Sequence, residues 1–248
     1  MIQFFSPDIQ TSRRLSAEDS GHAVRVLRKQ PGDLIEVVDG AGRRFSCQLL
    51  DTDPRGASVE ILSVEEIPSY WTQQIILAVA PTKNIDRIEW LVEKAIEIGV
   101  DRFVPLRCEH SERKVVKTDR LRKIAISAMK QSLKATLPQI DEMTPLKDFL
   151  TTLDEDIPNR FMGYCSREYP LVSLVDRYRP RLSSVILIGP EGDFSPAEVE
   201  MAVKAGFIPS TFSPARLRTE TAALFALNTI HVIDQINNHY KNTPCADN

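Results

Sequence analysis

The stretch from residue 185 to residue 224 constrains this chain most, because it contains the same pattern twice: an apolar run, a loop and the start of a helix. The first run, 185–188, is typical of a buried parallel strand, and the Ser-Pro-Ala-Glu sequence at 195–198 is typical of a capped helix N-terminus. The second run, 207–212, predicts another strand, followed by a helix that Thr219 would cap. We therefore expect the two loops to lie side by side, at the carboxyl ends of neighbouring parallel strands, where open α/β sheets bind ligands.

The composition of the two loops suits a ligand with adenine and ribose but no phosphate. The first loop (residues 188–194) contains Gly189 and Gly192, which allow close approach of the backbone, and a proline that fixes one φ angle. The second loop comprises residues 213–222. Neither a G-x-G-x-x-G pattern nor a P-loop is present, which disfavours dinucleotide and nucleoside-triphosphate sites. An ordinary tight turn remains the alternative for the first loop considered alone.

Together, the two loops resemble those of the SPOUT methyltransferases, and among them the RsmE-like family, which methylates uridine N3 in small-subunit ribosomal RNA. The family writes these loops as G-P-E-G-G and L-G-x-x-x-L-R-T-E-T-A. Here Asp193 stands at the last glycine of the first pattern, and Phe212-Ser213 replaces the Leu-Gly pair of the second. The resemblance implies S-adenosylmethionine as cofactor, ribosomal RNA or the small ribosomal subunit as partner, a homodimer, and a deep trefoil knot in the C-terminal part.

This chemistry makes specific demands on the second loop. Uracil N3 carries a proton at neutral pH, so the enzyme must remove that proton and stabilise the resulting anion. Arg218 leaves the loop just before a helix and is the candidate for stabilising the anion; Glu220 could accept the proton, directly or through water. A structural ion pair is the alternative for both residues. The residues expected to hold the cofactor are Tyr164, Ile188, Gly189, Glu191, Gly192, Phe212, Ser213, Arg216 and Leu217.

Positive charge is concentrated in two segments, although the net charge of the chain is −3. Residues 107–134 carry a local charge of +6 and residues 13–29 a local charge of +3, which leaves −12 on the remainder. Such asymmetry is expected of a protein that binds a polyanion, and solvated helix faces are the alternative. The residues expected to contact RNA are Arg25, Arg28, Arg113, Lys114, Lys130, Gln131 and Lys134.

Two domains are predicted, with a proline-containing linker between them. Short strands and turns in residues 1–68 predict a small β-barrel, and residues 22–33 resemble the PUA-like RNA-binding domain of the family. Residues 72–248 alternate strands with helices, which predicts an α/β fold with a parallel sheet covered on both faces. Within this second domain, 83–99, 109–113 and 128–132 resemble further family segments.

The remaining composition argues against other classes of protein. No apolar run approaches the roughly 20 residues that span a membrane, and the N-terminus does not resemble a signal peptide. The cysteines, at positions 47, 108, 165 and 245, and the four histidines lack the spacing of a metal site, which favours a metal-free protein of the reducing cytoplasm. Two alternatives to a ribosomal RNA methyltransferase remain: a related RNA-binding protein that has lost activity, and a small-molecule α/β enzyme.

Overall fold

The computed structural model describes residues 2–165 and 168–238, which form two compact units. The first unit comprises the chain up to residue 70 together with residues 123–137. The second comprises residues 71–122 and the chain from residue 138 onward. The segment 123–137 thus packs with the first unit, although the strand–helix alternation groups it with the second. The functional domains 1–68 and 72–248 stay a prediction.

The strands belong to two separate sheets. The first unit contains β1 (Gln3–Phe5), β2 (Leu34–Val38), β3 (Arg43–Leu49) and β4 (Val59–Glu66). The second unit contains β5 (Ile75–Val79), β6 (Arg102–Arg107), β7 (Gln139–Ile140), β8 (Thr144–Pro145), β9 (Asn159–Gly163), β10 (Val172–Ser173), β11 (Ser184–Ile188) and β12 (Ile208–Thr211).

Eight α-helices connect these strands in the described residues. They are α1 (Ile9–Ser12), α2 (Ala17–Gly21), α3 (Ile85–Ile98), α4 (Thr118–Gln131), α5 (Leu146–Thr152), α6 (Leu174–Arg177), α7 (Pro196–Lys204) and α8 (Thr219–Asn238). A π-helical turn (His22–Val26) extends α2, where the sequence predicts one continuous helix. None of these helices has both the length and the apolar character needed to cross a membrane.

The first unit is organised around a four-stranded sheet in the order β1-β2-β3-β4. Strand β1 runs parallel to β2, whereas β2, β3 and β4 form an antiparallel meander. Phe4, Phe45 and Leu49 are fully buried in its apolar core. The second half of α4 belongs to this unit, and there the ammonium group of Lys130 lies 2.5 Å from Oδ1 of the buried Asp19.

The second unit contains the parallel sheet predicted from the sequence. Its strands follow the order β10-β12-β9-β11-β5-β6-β7, β8 also pairs with β6, and every pairing is parallel. All residues of the central strands β5 and β11 are buried, as expected for a sheet covered on both faces. The α/β class with a parallel sheet is therefore confirmed.

The two loops come from strands that are not neighbours, so this part of the prediction is wrong. The first loop follows β11 and the second follows β12, but β9 lies between these strands and pairs with both. Because all three strands are parallel, their carboxyl ends still share one edge of the sheet. The end of β9, with Gly163 and Tyr164, consequently comes between the two loops.

The start of α7 follows its sequence signal. This helix begins with the predicted capping box of Ser195 and Glu198, and Asn84 caps α3 by accepting a hydrogen bond from the amide of Asp86. Thr219, predicted to cap α8, is the first residue of that helix, and its hydroxyl donates to the carbonyl oxygen of Gly189 at 3.3 Å. This bond joins the start of α8 to the first loop.

Helix α8 is held at its far end by the buried carboxylate of Asp234. The hydroxyl of Tyr178 donates to Oδ2 at 2.8 Å, the side-chain amide of Gln73 donates to the same oxygen, and the backbone amide of Arg181 donates to Oδ1 at 2.9 Å. Burial and the bond to Asp234 raise the pKa of Tyr178 well above its usual range. Three partners thus fix this end of the helix.

Candidate active site

A cavity of about 250 Å³ lies at the carboxyl edge of the parallel sheet in the second unit. Its walls are the two loops, the end of β9 and the first turn of α3. Eight of the nine residues predicted to hold a cofactor line it, namely Tyr164, Ile188, Gly189, Glu191, Phe212, Ser213, Arg216 and Leu217. Arg218 and Glu220 line the same cavity. The geometry brings the predicted site together, while the role of each residue stays a prediction.

Gly192 is the residue of the predicted set that does not line the cavity. A Cβ atom added there would lie 3.2 Å from the Cβ atom of His110. The ring Nδ1 of His110 lies 3.2 Å from the carbonyl oxygen of Gly192 and 3.1 Å from that of Asp193. Since both neighbours are acceptors, we assign the ring proton to Nδ1. The neighbour that approaches Gly192 closely in the structure is His110, and a role of Gly192 in holding a cofactor stays a prediction.

Asp193, at the position where the family pattern has glycine, adopts a left-handed backbone conformation. Its φ angle is 61°, in the left-handed region where glycine is favoured and aspartate is better tolerated than most residues. Its Oδ1 accepts a hydrogen bond from the amide of Phe194 at 2.9 Å, and its Oδ2 accepts one from the amide of Cys165 at 3.2 Å. The aspartate thus forms a left-handed turn in the loop and links the loop to the segment after β9.

The first loop is hydrogen-bonded to the segment that follows β5. Oε1 of Glu191 accepts a hydrogen bond from the amide of Lys83 at 3.0 Å. The guanidinium of Arg113 donates to the carbonyl oxygens of Thr82, at 3.1 Å, and of Lys83, at 2.6 Å. Arg113 was predicted to bind RNA, but it is half-buried and its donors hold this segment in place. The structure therefore favours a positioning role for Arg113.

Glu220 is a buried carboxylate that faces the cavity with one oxygen unsatisfied. Only 7% of the residue is exposed, and it lies in the first turn of α8, where the helix dipole favours negative charge. Its Oε1 lies 3.8 Å from Nη1 of Arg87, and its buried Oε2 has no hydrogen-bond partner in the described part of the chain. An unpaired buried oxygen of this kind is costly unless a ligand supplies the donor.

The ion pair of Glu220 involves a residue that the sequence did not suggest. The alternative for Arg218 and Glu220 was a structural pair with each other, yet the recorded partner of Glu220 is Arg87. Arg87 lies on the first turn of α3 and lines the cavity, as does Thr82. Both follow strand β5, whose carboxyl end lies at the edge expected for a site, and this position was the signal that could have identified them.

The apolar wall of the cavity depends on a glycine. A Cβ atom added at Gly163 would lie 2.7 Å from the Phe212 ring and 3.4 Å from Cδ1 of Ile188. The missing side chain therefore makes room for the phenylalanine that stands where the family has leucine. Tyr164 belongs to the core of the unit and also lines the cavity.

Several basic residues of the segment 107–134 are engaged in intramolecular ion pairs. Oxygens of Glu89 lie 2.6 and 2.7 Å from the guanidinium of Arg120, and Arg122 contacts Glu142 at 2.7 Å. The hydrogen bond from the Thr118 hydroxyl and the contact with Arg122 lower the pKa of Glu142. Lys114 is exposed and, among the described residues, makes no ion pair.

The basic residues of the first unit are partly available to a ligand. Arg25 and Arg28 are exposed, and Gln131 is exposed at the end of α4. Lys130 was predicted to contact RNA, but its ammonium is paired with Asp19, whose other carboxylate oxygen accepts the amide of Phe5 at 2.7 Å. Lys134 is half-buried. For Lys130, the structure therefore favours a role in packing α4 against β1.

The cysteines show no sign of metal binding in the described residues. Burial raises the pKa of Cys47 to about 11 and that of Cys108 still further, and Cys165 is exposed at the cavity. No cluster of three or more histidine, cysteine, aspartate or glutamate side chains suited to a metal ion occurs between residues 2 and 238, apart from the two undescribed positions. Cys245 lies outside the described residues.

Comparison with known proteins identifies the family. A sequence model of the RNA methyltransferase domain matches residues 69–231, well over half of the chain. The chain belongs to this RNA methyltransferase family. A model of the RNA methyltransferase PUA domain matches residues 15–62, so a PUA domain precedes the methyltransferase domain. The resemblance derived from the two loops is confirmed, whereas the trefoil knot stays a prediction.

Relatives of this RNA methyltransferase match nearly its whole length. It is 26% identical over 227 residues to ribosomal RNA small subunit methyltransferase E of Bacillus subtilis, covering 87% of this chain and 88% of the relative. A crystal structure of a probable rRNA-methyltransferase from Porphyromonas gingivalis is 40% identical, with a TM-score of 0.90, covering 96% of this chain and 100% of the other. Ribosomal RNA small subunit methyltransferase E from Neisseria gonorrhoeae, bound to S-adenosyl methionine, is 25% identical, with a TM-score of 0.81 and coverage of 94% and 98%.

Proposed function

We propose that this chain transfers a methyl group from S-adenosylmethionine to N3 of a uridine in small-subunit ribosomal RNA. The observation that carries the proposal is that both family loops line one cavity at the carboxyl edge of the sheet. The names of the Bacillus and Neisseria relatives support the substrate, and the cofactor bound to the Neisseria protein supports the cofactor.

The residues of the cavity fit S-adenosylmethionine. Ile188, Phe212 and Leu217 provide an apolar surface for an adenine ring, and Gly189 lines the same cavity. The N-terminus of α7 is closed by its own capping box, which makes it unsuitable for a phosphate and agrees with a phosphate-free ligand. When bound, S-adenosylmethionine supplies an electrophilic methyl group.

Arg218 and Glu220 are the proposed catalytic residues. Glu220 accepts the N3 proton, and its unsatisfied Oε2 is the atom suited to this role. Arg218, exposed at the cavity, stabilises the negative charge that spreads to the uracil oxygens when the proton leaves. The base-pairing edge must be accessible, so the target uridine is expected to be unpaired or flipped out of its helix.

RNA binding is proposed for residues of both sequence domains. Exposed Arg25 and Arg28 suit phosphate contacts from the PUA domain, residues 1–68. Lys114, Gln131 and Lys134 are proposed as further contacts. Residues 72–248 form the proposed methyltransferase domain, including the knot expected from the resemblance to SPOUT methyltransferases.

We further propose a homodimer that acts in the cytoplasm, on ribosomal RNA or on the small subunit. The last helix is rich in small and apolar residues, a composition that suits packing against a second helix, but Ala223, Ala226 and Leu227 are fully buried within the chain itself. Phe225, Val232 and Ile236 are better candidates, since they share one helical face and are 45%, 41% and 71% exposed.

The test is methylation by the purified protein of small subunits, and separately of naked ribosomal RNA, from a strain that lacks the gene. Nucleoside mass spectrometry should detect 3-methyluridine that depends on both the protein and S-adenosylmethionine. Methylation of another position, or none in either substrate, would overturn the proposal. Calorimetry distinguishes the inactive alternative, because a relic that only binds RNA need not bind S-adenosylmethionine.

A further inference from the structure

We propose that Arg87 and Glu220 together recognise the imide edge of the target uracil and thereby select uridine over cytidine. In this arrangement Glu220 accepts the hydrogen bond of N3–H, while Arg87 donates to an adjacent carbonyl oxygen of the base. The inference rests on the proposed function and extends it, because it assigns Arg87 to the site and gives the pair a role in base selection.

The first argument is the state of the carboxylate. Glu220 is buried and lines the cavity, and its Oε2 has no hydrogen-bond partner among the described residues. An ionised carboxylate can only accept hydrogen bonds, so the donor for this oxygen has to come from outside the described chain, from a ligand or from water. The N3–H group of uracil is such a donor.

The second argument is the state of the guanidinium. Arg87 is 38% exposed, and its Nη1 lies 3.8 Å from Oε1 of Glu220, which is too far for a hydrogen bond. Within the described residues its guanidinium makes this ion pair and no hydrogen bond. The N–H donors of Arg87 therefore remain available to a ligand, beside the Glu220 carboxylate, which itself lacks a donor at Oε2. A donor and an acceptor placed next to each other match the alternating edge of an imide.

Another carboxylate on α3, that of Glu89, contacts an arginine with a different geometry. Its buried Oε1 also makes no hydrogen bond, but that oxygen lies 2.6 Å from Nε of Arg120, and its Oε2 accepts a hydrogen bond from Nη2 of Arg120 at 2.7 Å. Neither residue lines the cavity in the part of the chain that the structure describes. Both carboxylate oxygens of Glu89 are in contact with one guanidinium group, whereas the Glu220 carboxylate has only one distant contact and faces the cavity. This contrast favours a ligand between or beside Arg87 and Glu220.

The pair discriminates between pyrimidines because their edges differ at N3. Uracil presents an acceptor, the N3–H donor and a second acceptor, whereas cytosine has a lone pair at N3. Facing cytosine, Glu220 would keep its oxygen unsatisfied and would be repelled by that lone pair. A buried site built to accept a hydrogen bond strongly rejects an analogue that lacks the donor.

The same pair suits the chemical step. In the transfer, the N3–H bond would break as the proton moves to Glu220, the electron pair left on N3 would form the new bond to the methyl carbon, and the bond from that carbon to sulfur would break with its electron pair left on the sulfur of the departing S-adenosylhomocysteine. Arg87 first faces the carboxylate and then faces the uracil anion, so its charge remains paired throughout. Its position is therefore compatible with both the bound base and the deprotonated base.

The experiment compares two fragments of ribosomal RNA: the shortest one that the wild-type protein methylates, and the same fragment with cytidine at the methylated position. Affinities are measured with the protein saturated with S-adenosylhomocysteine, so the readout does not depend on turnover. We expect the wild-type protein to favour uridine on the order of tenfold to a hundredfold. Glu220→Gln and Arg87→Lys should reduce this preference to within about threefold, whereas the matched control Glu89→Gln should retain it.

The outcomes separate this inference from the proposed function. If the wild-type protein methylates no uridine in any RNA, the proposed function itself is wrong. If it methylates uridine, and folded Glu220→Gln and Arg87→Lys variants keep the wild-type preference for uridine over cytidine, the ion pair has only a structural role and this inference is wrong. Arg87→Lys retains the positive charge of the ion pair, so it keeps the test decisive where Arg87→Ala fails to fold.

Discussion

The backbone amide of Cys165 donates a hydrogen bond of 3.2 Å to Oδ2 of Asp193, and this bond ties the end of β9 to the first loop of the cavity. The same aspartate holds a left-handed backbone angle of 61°. One residue therefore determines both the shape of the loop and its position relative to the neighbouring strand. Substitutions at Asp193 can separate these two effects.

Asp193→Ala should destabilise the second unit more than Asp193→Gly. Both variants lose the hydrogen bonds to Cys165 and Phe194, but only alanine places a Cβ atom in the unfavourable left-handed region. The difference in the free energy of unfolding should be about 1 kcal/mol or more. Urea denaturation measures it, and equal stabilities of the two variants would show that the backbone angle is not maintained.

The thiol of Cys165 should report on the charges around the cavity. Burial and Asp193 raise its pKa, and Arg216 lowers it. Asp193→Asn should therefore lower the pKa and speed alkylation by iodoacetamide at a fixed mildly alkaline pH, whereas Arg216→Ala should slow it. Peptide mass spectrometry follows the site, with buried Cys47 and Cys108 as unreactive references. Identical rate profiles in the three proteins would contradict this arrangement.

Gly163→Ala should weaken S-adenosylmethionine binding, and Phe212→Leu should partly restore it. The added methyl group would lie 2.7 Å from the Phe212 ring, so the ring must move into the cavity. We expect a loss of about tenfold in affinity for the single variant, equivalent to about 1.4 kcal/mol. Calorimetry of both single variants and the double variant forms the cycle, and strictly additive effects would show that the two residues do not interact.

Phe225→Glu and Val232→Glu should each shift the protein from dimer to monomer. Both side chains lie on the exposed apolar face of α8, where a buried charge would oppose association. Light scattering at micromolar concentration measures the mass, and Val203→Glu, at an exposed apolar position of α7, serves as the control. A wild-type monomer, or variants that remain dimeric, would remove α8 from the proposed interface.

Stability should decrease in acid partly through Glu142. Its pKa is lowered in the folded protein by the Thr118 hydroxyl and by Arg122, so its contribution is present above the usual titration range of glutamate. That contribution is lost as pH falls through the lowered pKa. The urea midpoint of Glu142→Gln should therefore vary less between pH 6 and pH 3 than that of the wild-type protein. Parallel pH dependences would show that the Glu142 interactions do not persist in solution.

The local signals in the sequence were sufficient for the regular elements. The apolar runs 75–80 and 185–188 predicted β5 and β11, and the capping box predicted the start of α7, because each signal involves residues close together in the chain. Strands β7, β8 and β10 were missed, because a two-residue strand has no periodicity to recognise. The strand order could not be read from local patterns, and β9 was therefore not expected between β11 and β12.

The site was predictable where one loop carries its own pattern and unpredictable where distant segments meet. Arg218 and Glu220 were found because both lie in the second loop. Arg87 was missed, since its side chain meets Glu220 only after α3 and α8 have packed at the same edge of the sheet. The small residues of α8 show the same limit of local patterns. Composition cannot distinguish packing within a chain from packing between chains, and Ala223 and Ala226 are buried within this chain.

The hydrogen bonds of Asp234 fix the position of α8 along its own axis. Fourteen residues, or about 21 Å of helix, separate this anchor from Glu220 at the opposite end. If the helix slid along its axis or rotated about it, the buried carboxylate of Asp234 would lose its three hydrogen-bond donors. The height of the Glu220 carboxylate above the sheet is consequently set by residues that never meet the cavity, and the evolution of the site is constrained at a place remote from its chemistry.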